Sequence, residues 1–188
     1  MRVIDKKSLR KQQIQRLQQL PLAVKRQEEA QILAQFLASP LYQQAHEIGV
    51  TASSPLEFST VALIEAAWQD QKVIYLPKTL PDTHGMHFYR YQQGDQLVRS
   101  AFGIMEPMAA PTLQNDQPDL LIVPGLAYSR DHWRVGFGGG YYDRFLQNYL
   151  GQTVVLALSP MVFTTATWPV SQHDQPFDQL ITVESEAN

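Results

Sequence analysis

The stretch DLLIVPGLAYSRDHWRVGFGGGYYDRFLQNYLGQTVVLALS, residues 119 to 159, contains two apolar runs separated by a glycine-rich loop and a helical segment. The runs DLLIV and TVVLALS are short and aliphatic, which is typical of strands that are buried on both faces of a sheet. We interpret YYDRFLQNYLG, residues 141 to 151, as the helix between them. This order of strand, helix and strand predicts a βαβ unit with parallel strands.

The same alternation continues on both sides of this stretch. Upstream are the strand-like EIGVTAS (47–53), the helical TVALIEAAWQDQ (60–71) and the strand-like KVIYLPK (72–78), and downstream is QLITVE (179–184). Repeated βα units place helices on both faces of a mainly parallel sheet. We therefore predict an α/β fold with a Rossmann-like three-layer arrangement.

The N-terminal segment predicts two helices that form an arm in front of the sheet. In residues 6 to 21, one helical stripe contains Leu9, Gln13, Leu17 and Leu20. In residues 22 to 39, the side chains expected to face inward are Ala30, Leu33, Ala34 and Leu37. Pro21 and Pro40 are expected to end the two helices, because proline cannot continue the helical hydrogen bonding.

The middle of the chain, residues 84 to 119, does not follow the alternation. We interpret MHFYRY (86–91) and QLVRS (96–100) as a hairpin that turns at QQGD (92–95). A proline-rich loop that crosses the surface is expected after it.

The length and composition are typical of a single globular domain, residues 1 to 188. The net charge of -3 lacks the basic excess that general nucleic-acid binding uses. There is no cysteine, which excludes disulfides and thiolate metal sites and fits a reducing cytoplasm. The charged N-terminus has no apolar run behind it, so neither a secretory signal nor a membrane span is predicted. We expect a cytoplasmic monomer.

The glycine-rich loop is the strongest candidate for a binding site. Without side chains at Gly136 and Gly138–Gly140, backbone N–H groups can close around phosphate oxygens, and the helix from Tyr141 adds its positive end. The alternative is a flexible turn. Arg134 before the loop and Asp143 after it favour an anion site, with Asp143 stabilising the helix dipole or binding magnesium. The spacing matches neither the dinucleotide fingerprint nor the P-loop.

Several motifs together resemble the 5-formyltetrahydrofolate cyclo-ligase family, also called 5,10-methenyltetrahydrofolate synthetase. These are KKSLR (6–10), PLEFST (55–60), VIYLPK (73–78), MHFYRY (86–91), FGIMEP (102–107), VPGLAYSRDHWRVGFGGGYYDRFL (123–146) and HDQPFD (173–178). The resemblance covers nearly the whole chain, and it implies a ligase that uses ATP and Mg²⁺. This enzyme cyclises 5-formyltetrahydrofolate to 5,10-methenyltetrahydrofolate, with release of ADP and phosphate through a phosphorylated formyl group.

The resemblance also implies roles for individual residues in the ATP site. The implied ATP-binding residues are Lys6, Lys7, Ser8, Leu9, Arg10, Arg134, Val135, Gly136, Phe137, Gly138, Gly139, Gly140, Tyr141 and Tyr142. Arg134 and Tyr141 are the implied catalytic residues. Asp143 and Asp174 are the implied magnesium ligands, with Asp178 as an alternative to Asp174. From the pattern alone, Lys6 and Arg10 could instead form a solvated helix face.

The implied folate site lies beside the same loop. Its residues are Ala52, Glu57, Phe137, Gly138, Gly139, Gly140 and Tyr141. Glu57 would accept paired N–H bonds from the pterin, or else it is an acid that stabilises the helix starting near Thr60. Ala52 and Pro55 differ from many relatives. Gly139 stands where some relatives have lysine, so Lys78 is our candidate for that phosphate contact.

The remaining aromatic and histidine residues predict no further site. The four histidines without metal-ligand spacing, expected on the surface or in loops, are His84, His87, His132 and His173. Trp133 and Phe137 could stack on flat rings, but packing is the simpler interpretation. Two other function classes stay open: a sugar-phosphate isomerase or acyl-transfer relative on a similar fold, and a non-catalytic protein that binds folate or nucleotide.

Overall fold

The computed structural model describes residues 4–100 and 103–183. Its helices are α1 (Lys6–Gln19), α2 (Leu22–Ala38), α3 (Pro40–Gln44), α4 (Val61–Gln69) and α5 (Tyr141–Leu146). Its first six strands are β1 (Glu47–Gly49), β2 (Val73–Leu80), β3 (Gly85–Tyr91), β4 (Leu97–Arg99), β5 (Met105–Pro107) and β6 (Leu120–Ile122). The later strands are β7 (Ala127–Ser129), β8 (Arg134–Val135), β9 (Gln152–Ala157), β10 (Val162–Phe163) and β11 (Gln179–Thr182). Short 3-10 helices cover Pro111–Leu113 and Ser159–Met161.

The central sheet has six strands in the order β11-β9-β6-β1-β2-β3. All neighbours in it are parallel except β2 and β3, which are antiparallel. From β1 the chain moves outward to β2, whereas from β6 it moves to β9 and β11 in the opposite direction. The direction of the chain across the sheet therefore reverses between the neighbouring strands β1 and β6. Such a topological switch point is where α/β proteins bind ligands, beyond the carboxyl ends of the strands.

Helices cover both faces of this sheet. The ring of Trp68 on α4 lies 5.3 Å from that of Tyr91, and the ring of Phe145 on α5 lies 4.9 Å from that of Phe88. Because Phe88 and Tyr91 are three residues apart on β3, their side chains point to opposite faces. The predicted three-layer α/β arrangement is confirmed.

The apolar runs form strands because both of their faces are covered. Leu120, Leu121 and Ile122 are consecutive in β6, and all three are buried. Ile48 of β1 and Val155 of β9 are fully buried next to them. Burying each such side chain contributes about 1.5–3 kcal/mol, so these runs are held in the centre of the sheet.

Helix α1 is packed against the loops beyond the carboxyl ends of the strands. Asp5 caps it, with Oδ1 accepting a bond from the Ser8 N–H at 2.9 Å. The predicted inward stripe is confirmed, since Leu9, Gln13 and Leu17 are buried. Gln13 Nε2 donates to the carbonyls of Leu126 and Pro160, at 3.0 and 2.9 Å. These bonds satisfy a buried amide and attach the helix to the loops after β6 and β9.

Half of the predicted inward face of α2 is correct, because Leu33 and Leu37 pack half-buried against the core, and the other half is wrong. Ala30 and Ala34 are exposed, and the buried residues are Glu28, Ile32 and Phe36. Glu28 can lie inward because the N–H and hydroxyl of Ser159 donate to its carboxylate at 2.8 and 2.5 Å. A buried carboxylate with two donors is tolerated, and the helix turns its larger apolar side chains to the core.

The predicted hairpin between residues 86–91 and 96–100 is also wrong. Strand β3 pairs with β2, from Ile74 opposite Tyr91 to Leu80 opposite Gly85, while β4 pairs with β5. The β2–β3 pairing extends the main sheet and buries Phe88, whereas β4 is largely exposed. The turn that joins β2 to β3 contains His84 at a φ of 53°.

Several predicted elements are longer than the observed ones, among them the strand predicted at residues 47–53, which ends at Gly49. Helix α5 ends at Leu146 instead of continuing to residue 151, and the Tyr149 hydroxyl donates to the Pro118 carbonyl at 2.7 Å. The last strand ends at Thr182, and residue 184 of its predicted range lies outside the described residues. No helix within residues 4–100 and 103–183 is long and apolar enough to cross a membrane.

Candidate functional site

A narrow cleft of about 310 Å³, including space open to solvent, lies at the switch point. Residues that follow β1 and β6 form its walls, together with the turn after β9. Among its lining residues are Thr51, Glu57, Thr60, Pro124, Tyr128 and Met161. The cleft therefore has the position expected for a ligand site in an open parallel sheet.

Glu57 places a carboxylate in this cleft. The Ser54 N–H donates to Glu57 Oε2 at 2.9 Å. Burial raises the pKa of Glu57, and the hydrogen bonds from Ser54 and the charge of Lys25 offset part of this effect. Burial also raises the pKa of Tyr142, and the charge of Glu57 raises that pKa further. Tyr128 lines the same cleft and pairs with Arg134 ahead of the glycine loop, so the cleft and the loop are neighbours.

The glycine loop has a conformation that other residues rarely adopt. Gly138 has a φ of 108° and Gly140 a φ of 71°. The N–H groups of Phe137, Gly138 and Gly139 donate to no group in the described part of the chain. A Cβ at Gly139 would lie 2.7 Å from the ring of Tyr141. The loop therefore presents bare backbone donors, although the helix behind it has only six residues.

Arg134 lies buried directly behind the loop. Its Nη2 donates to Asp143 Oδ1 at 2.8 Å, and its guanidinium carbon lies 5.7 Å from the centre of the Tyr142 ring. The Nε is buried without a hydrogen-bond partner among residues 4–100 and 103–183. An unsatisfied buried donor is costly, so the guanidinium retains capacity to bind an anionic ligand.

Helix α1 carries two cations, of which Arg10 contacts the glycine loop. Lys6 Nζ lies 2.5 Å from Asp174 Oδ2, and Arg10 Nε donates to the Gly136 carbonyl at 2.8 Å. The interpretation of Lys6 and Arg10 as a solvated face is not supported, because both side chains are half-buried and bonded. The side chain of Leu9 between them packs against Trp168.

The two predicted magnesium ligands are each paired with a cation. Burial raises the pKa of Asp174, but hydrogen bonds from Lys6 and Ser171 outweigh burial and leave this pKa below its usual range. The alternative residue, Asp178, accepts bonds from the N–H and hydroxyl of Thr153 and so anchors β9. Asp174 is therefore the better candidate.

The carboxylates of Asp143 and Asp174 are compatible with magnesium. Their second oxygens, Oδ2 of Asp143 and Oδ1 of Asp174, accept no hydrogen bond from a described residue. Within the described ranges no three His, Cys, Asp or Glu side chains cluster to hold a metal. One or two carboxylates completed by phosphate oxygens and waters are a usual magnesium environment, and each of these carboxylates retains an oxygen for an ion that arrives with a nucleotide.

Other residues named from the sequence have different surroundings. Lys78 Nζ lies 3.4 Å from the carbonyl of Pro107, which is the last residue of β5. His87 is in strand β3, not in a loop, and its Nδ1 lies 2.7 Å from Asp116 Oδ2. His132 Nδ1 lies 2.8 Å from the Phe177 carbonyl. His173 is exposed, as expected from the sequence.

The structure adds two residues that sequence analysis did not place at the site. Tyr128 lines the cleft together with Glu57, and the ring of His84 lies 5.6 Å from that of Tyr141. The only signal for His84 was its place in a turn before a glycine.

The aromatic residues named from the sequence have different positions. Phe137 is half-exposed at the tip of the loop, whereas Trp133 packs against the small buried cluster that contains Leu9 and Trp168. Ala52 follows β1 and is half-buried against the core.

Fold and site together define an α/β protein with a ligand cleft at the switch point, beside a loop of free backbone donors and arginines. The family model described as the 5-formyltetrahydrofolate cyclo-ligase family matches residues 2–183. The chain belongs to this family.

Individual relatives agree with this assignment. The chain is 35% identical over 146 residues to the 5-formyltetrahydrofolate cyclo-ligase of Haemophilus influenzae, which is 74% of this chain and 77% of that protein. The identity to the Escherichia coli enzyme of that name is 34%, over 63% of this chain and 67% of that protein. The resemblance inferred from the motifs is confirmed.

Solved structures of related proteins have the same fold. The 5,10-methenyltetrahydrofolate synthetase of Aquifex aeolicus superposes with a TM-score of 0.80 at 28% identity, over 94% of this chain and 88% of that one. The synthetase of Mycoplasma pneumoniae superposes with a TM-score of 0.74 at 22% identity, over 96% of this chain and 100% of that one. The latter likeness shows the fold alone.

Proposed function

We propose that this chain is a ligase that uses ATP to cyclise 5-formyltetrahydrofolate to 5,10-methenyltetrahydrofolate, with release of ADP and phosphate. One observation carries this proposal: the cleft that holds Glu57 is also lined by Tyr128, which pairs across β7 and β8 with Arg134, at the start of the loop of free N–H groups. A carboxylate suits the donors of a pterin, and the loop suits a triphosphate. The family assignment supports the same pairing of substrates.

The chemistry explains why ATP is required. A formamide carbon is a poor electrophile, and its oxygen is a poor leaving group. The formyl oxygen attacks the γ-phosphorus and ADP leaves, which gives an iminium phosphate. The folate nitrogen at position 10 then bonds to the activated carbon and loses its proton, and the C–O bond breaks to release phosphate. The protein has to position the reactants and stabilise negative charge on the transferred phosphoryl group.

The residues around the loop are suited to that task. Arg134 has an unsatisfied Nε, and Arg10 reaches the loop from α1, one helical turn after Lys6. Cations and N–H groups held in place before the reaction stabilise developing charge without reorganising. Asp143 and Asp174 would hold Mg²⁺, which when bound neutralises charge on the phosphates.

The folate would lie between Glu57 and the loop. Tyr141 would face the pterin from the start of α5, with Ala52 and Phe137 as the other apolar contacts. The ring contact between His84 and Tyr141 adds support for a flat ligand on this side. The exposed Phe137 ring is free to cover such a ligand.

A spectroscopic assay tests the activity. We expect the near-ultraviolet absorbance of the methenyl product only when the protein, 5-formyltetrahydrofolate, ATP and a divalent cation are all present, with one ADP formed per turnover. Product without ATP would favour the isomerase or acyl-transfer class, in which the cations of α1 have no function. Binding of both ligands without turnover would favour a non-catalytic protein.

Replacing Arg10 by Ala tests the contribution of α1. Arg10 is bonded to the Gly136 carbonyl, so its loss should raise the KM for ATP by about tenfold or more, because a charge-assisted hydrogen bond contributes roughly 1.5–3 kcal/mol. The KM for folate should change little. Lys11→Ala, at the exposed neighbouring position, is the matched control. Equal effects of the two variants would contradict a role for Arg10 at the nucleotide.

The pKa of Glu57 predicts a pH dependence of folate binding. The ionised carboxylate accepts N–H bonds, and burial raises its pKa above the usual 4.5. As the pH falls through this raised pKa, Glu57 takes up a proton and the KM for folate should rise, while the KM for ATP does not follow. In Glu57→Gln the KM for folate should be high throughout and lack this dependence. Steady-state kinetics from neutral to acidic pH measure this effect. A KM for folate that does not change over this range would contradict folate binding by Glu57.

We further propose that residues 1 to 188 form one cytoplasmic domain that acts as a monomer without nucleic acid or membrane partners. The main core contains side chains from Leu17 to Phe177, which supports one domain. All residues of the candidate site come from one chain, so a second copy is not needed. The net charge of -3 and the lack of cysteine support the remaining parts.

A further inference from the structure

The loop from Thr51 to Thr60, between β1 and α4, carries Glu57 and is closed at its base by Thr60. Threonine at the start of a helix usually caps it, but the Thr60 hydroxyl makes no bond to α4. Instead the hydroxyl donates to the Thr51 carbonyl at 2.7 Å and accepts from the Ser53 N–H at 3.2 Å. Thr60 therefore joins the two ends of the loop.

Ser53 returns this contact. Its Oγ accepts a bond from the Thr60 N–H at 3.0 Å, and Thr60 is buried. The next residue, Ser54, donates its N–H to the Glu57 carboxylate, and its carbonyl accepts the Glu57 N–H at 3.1 Å. The direction of the Glu57 carboxylate thus depends on Ser54, and the position of Ser54 depends on the bonds between Ser53 and Thr60.

Helix α2 holds the outer side of the same loop. Lys25 Nζ donates to the Pro55 carbonyl at 2.6 Å, and Glu29 Oε1 accepts from the Ser59 N–H at 2.9 Å. Lys25 and Glu29 also lie within 3.5 Å of each other. The loop is therefore held from its base by Thr60 and from outside by α2, with Glu57 between these supports.

We propose that Thr60 is a positioning residue for the Glu57 carboxylate, and that Glu29 is a second support for the same loop. This inference rests on the proposed role of Glu57 in binding the pterin. Without the Thr60 hydroxyl, the loop would populate conformations in which the carboxylate points elsewhere. The apparent affinity for folate would fall in proportion to the fraction of molecules that keep the competent conformation.

Thr60→Val and Thr60→Ser test this proposal, because valine removes the hydroxyl at nearly equal volume and serine keeps it. Thr60→Val should raise the KM for folate about tenfold, a change of about 1.4 kcal/mol, with little effect on the KM for ATP. Thr60→Ser should restore most of the wild-type value. In the Glu57→Gln background, Thr60→Val should add almost nothing, because residues acting through one group are not additive.

The outcomes separate this inference from the proposed function. If Glu57→Gln leaves the KM for folate unchanged, the assignment of Glu57 fails and the inference fails with it. If Glu57→Gln raises that KM but Thr60→Val does not, only the inference fails. The inference is also overturned if Thr60→Val has its full effect in the Glu57→Gln background, or raises the KM for ATP equally.

Glu29→Ala keeps the test decisive if Thr60→Val does not fold, as judged by thermal melting. It should raise the KM for folate selectively and lose this effect in the Glu57→Gln background. Glu65→Ala, at an exposed position on α4, is the matched control. An unchanged KM for folate in a folded Glu29→Ala protein would overturn the proposed role of Glu29. If the Thr60→Val protein also fails to fold, this result would overturn the whole proposal.

Discussion

Replacing Arg134 by Ala is expected to lower kcat about 10³-fold, because fixed groups that stabilise transition-state charge contribute on this scale. The guanidinium is buried, paired with Asp143 on one side, and has an Nε with no described partner behind the glycine loop. Among the residues that the structure describes, no other arginine is buried. Single-turnover formation of the methenyl product measures the effect on chemistry directly.

Two further variants distinguish charge from geometry in this experiment. Arg134→Lys keeps the positive charge but loses the planar set of donors, so it should recover only a small part of the rate. Arg130→Ala removes an exposed arginine of the preceding loop and should leave kcat near the wild-type value. Full activity in a folded Arg134→Ala protein would exclude Arg134 from catalysis.

Replacing Gly138 by Ala is expected to lower turnover about 10²-fold, since a displacement of about 1 Å at a reacting site has effects of this size. Gly138 has a φ of 108°, and an added Cβ would lie 3.4 Å from the guanidinium carbon of Arg10. The loop should relax to an ordinary φ and carry its N–H groups away from the phosphate. Turnover, ATP affinity and thermal melting should be measured on the same protein.

Gly94→Ala is the matched control for backbone strain. Gly94 has a φ of 93° in the turn after β3, and a Cβ there would meet nothing within 4 Å. Both variants should therefore lose about 1 kcal/mol or somewhat more of stability, but only Gly138→Ala should lose activity. A folded Gly138→Ala protein with near wild-type turnover would leave the loop as a turn without a role at the phosphates.

Much of the fold was predictable because strand and helix patterns are local. The apolar runs at β2, β6 and β9 and the stripe of Leu9, Gln13 and Leu17 follow from burial and periodicity alone. The pairing of β3 was not predictable in this way. Sequence analysis placed the turn at residues 92–95, whereas β3 pairs with β2 across the preceding turn, and this pairing packs Phe88 against Phe145 of α5.

The burial of Glu28 on α2 could not be predicted from a local pattern either. Glu28 reads as a solvent-facing residue, yet it is buried because Ser159 donates two hydrogen bonds to it. These two residues are separated by 131 positions in the chain. A pattern within one helix contains no information about such a partner.

For the site, the sequence by itself determined the chemical types: glycines where φ must be positive, a cation before them, and acids that could hold magnesium. Only the tertiary structure decided which of these groups meet. Lys6 reaches Asp174 across 168 positions, and Arg10 reaches the Gly136 carbonyl across 126. Backbone strain acts within one residue and is therefore visible in the sequence. Hydrogen bonds and ion pairs act over about 3 Å of space whatever the separation along the chain, so these partners are set only when the sheet and α1 have packed together.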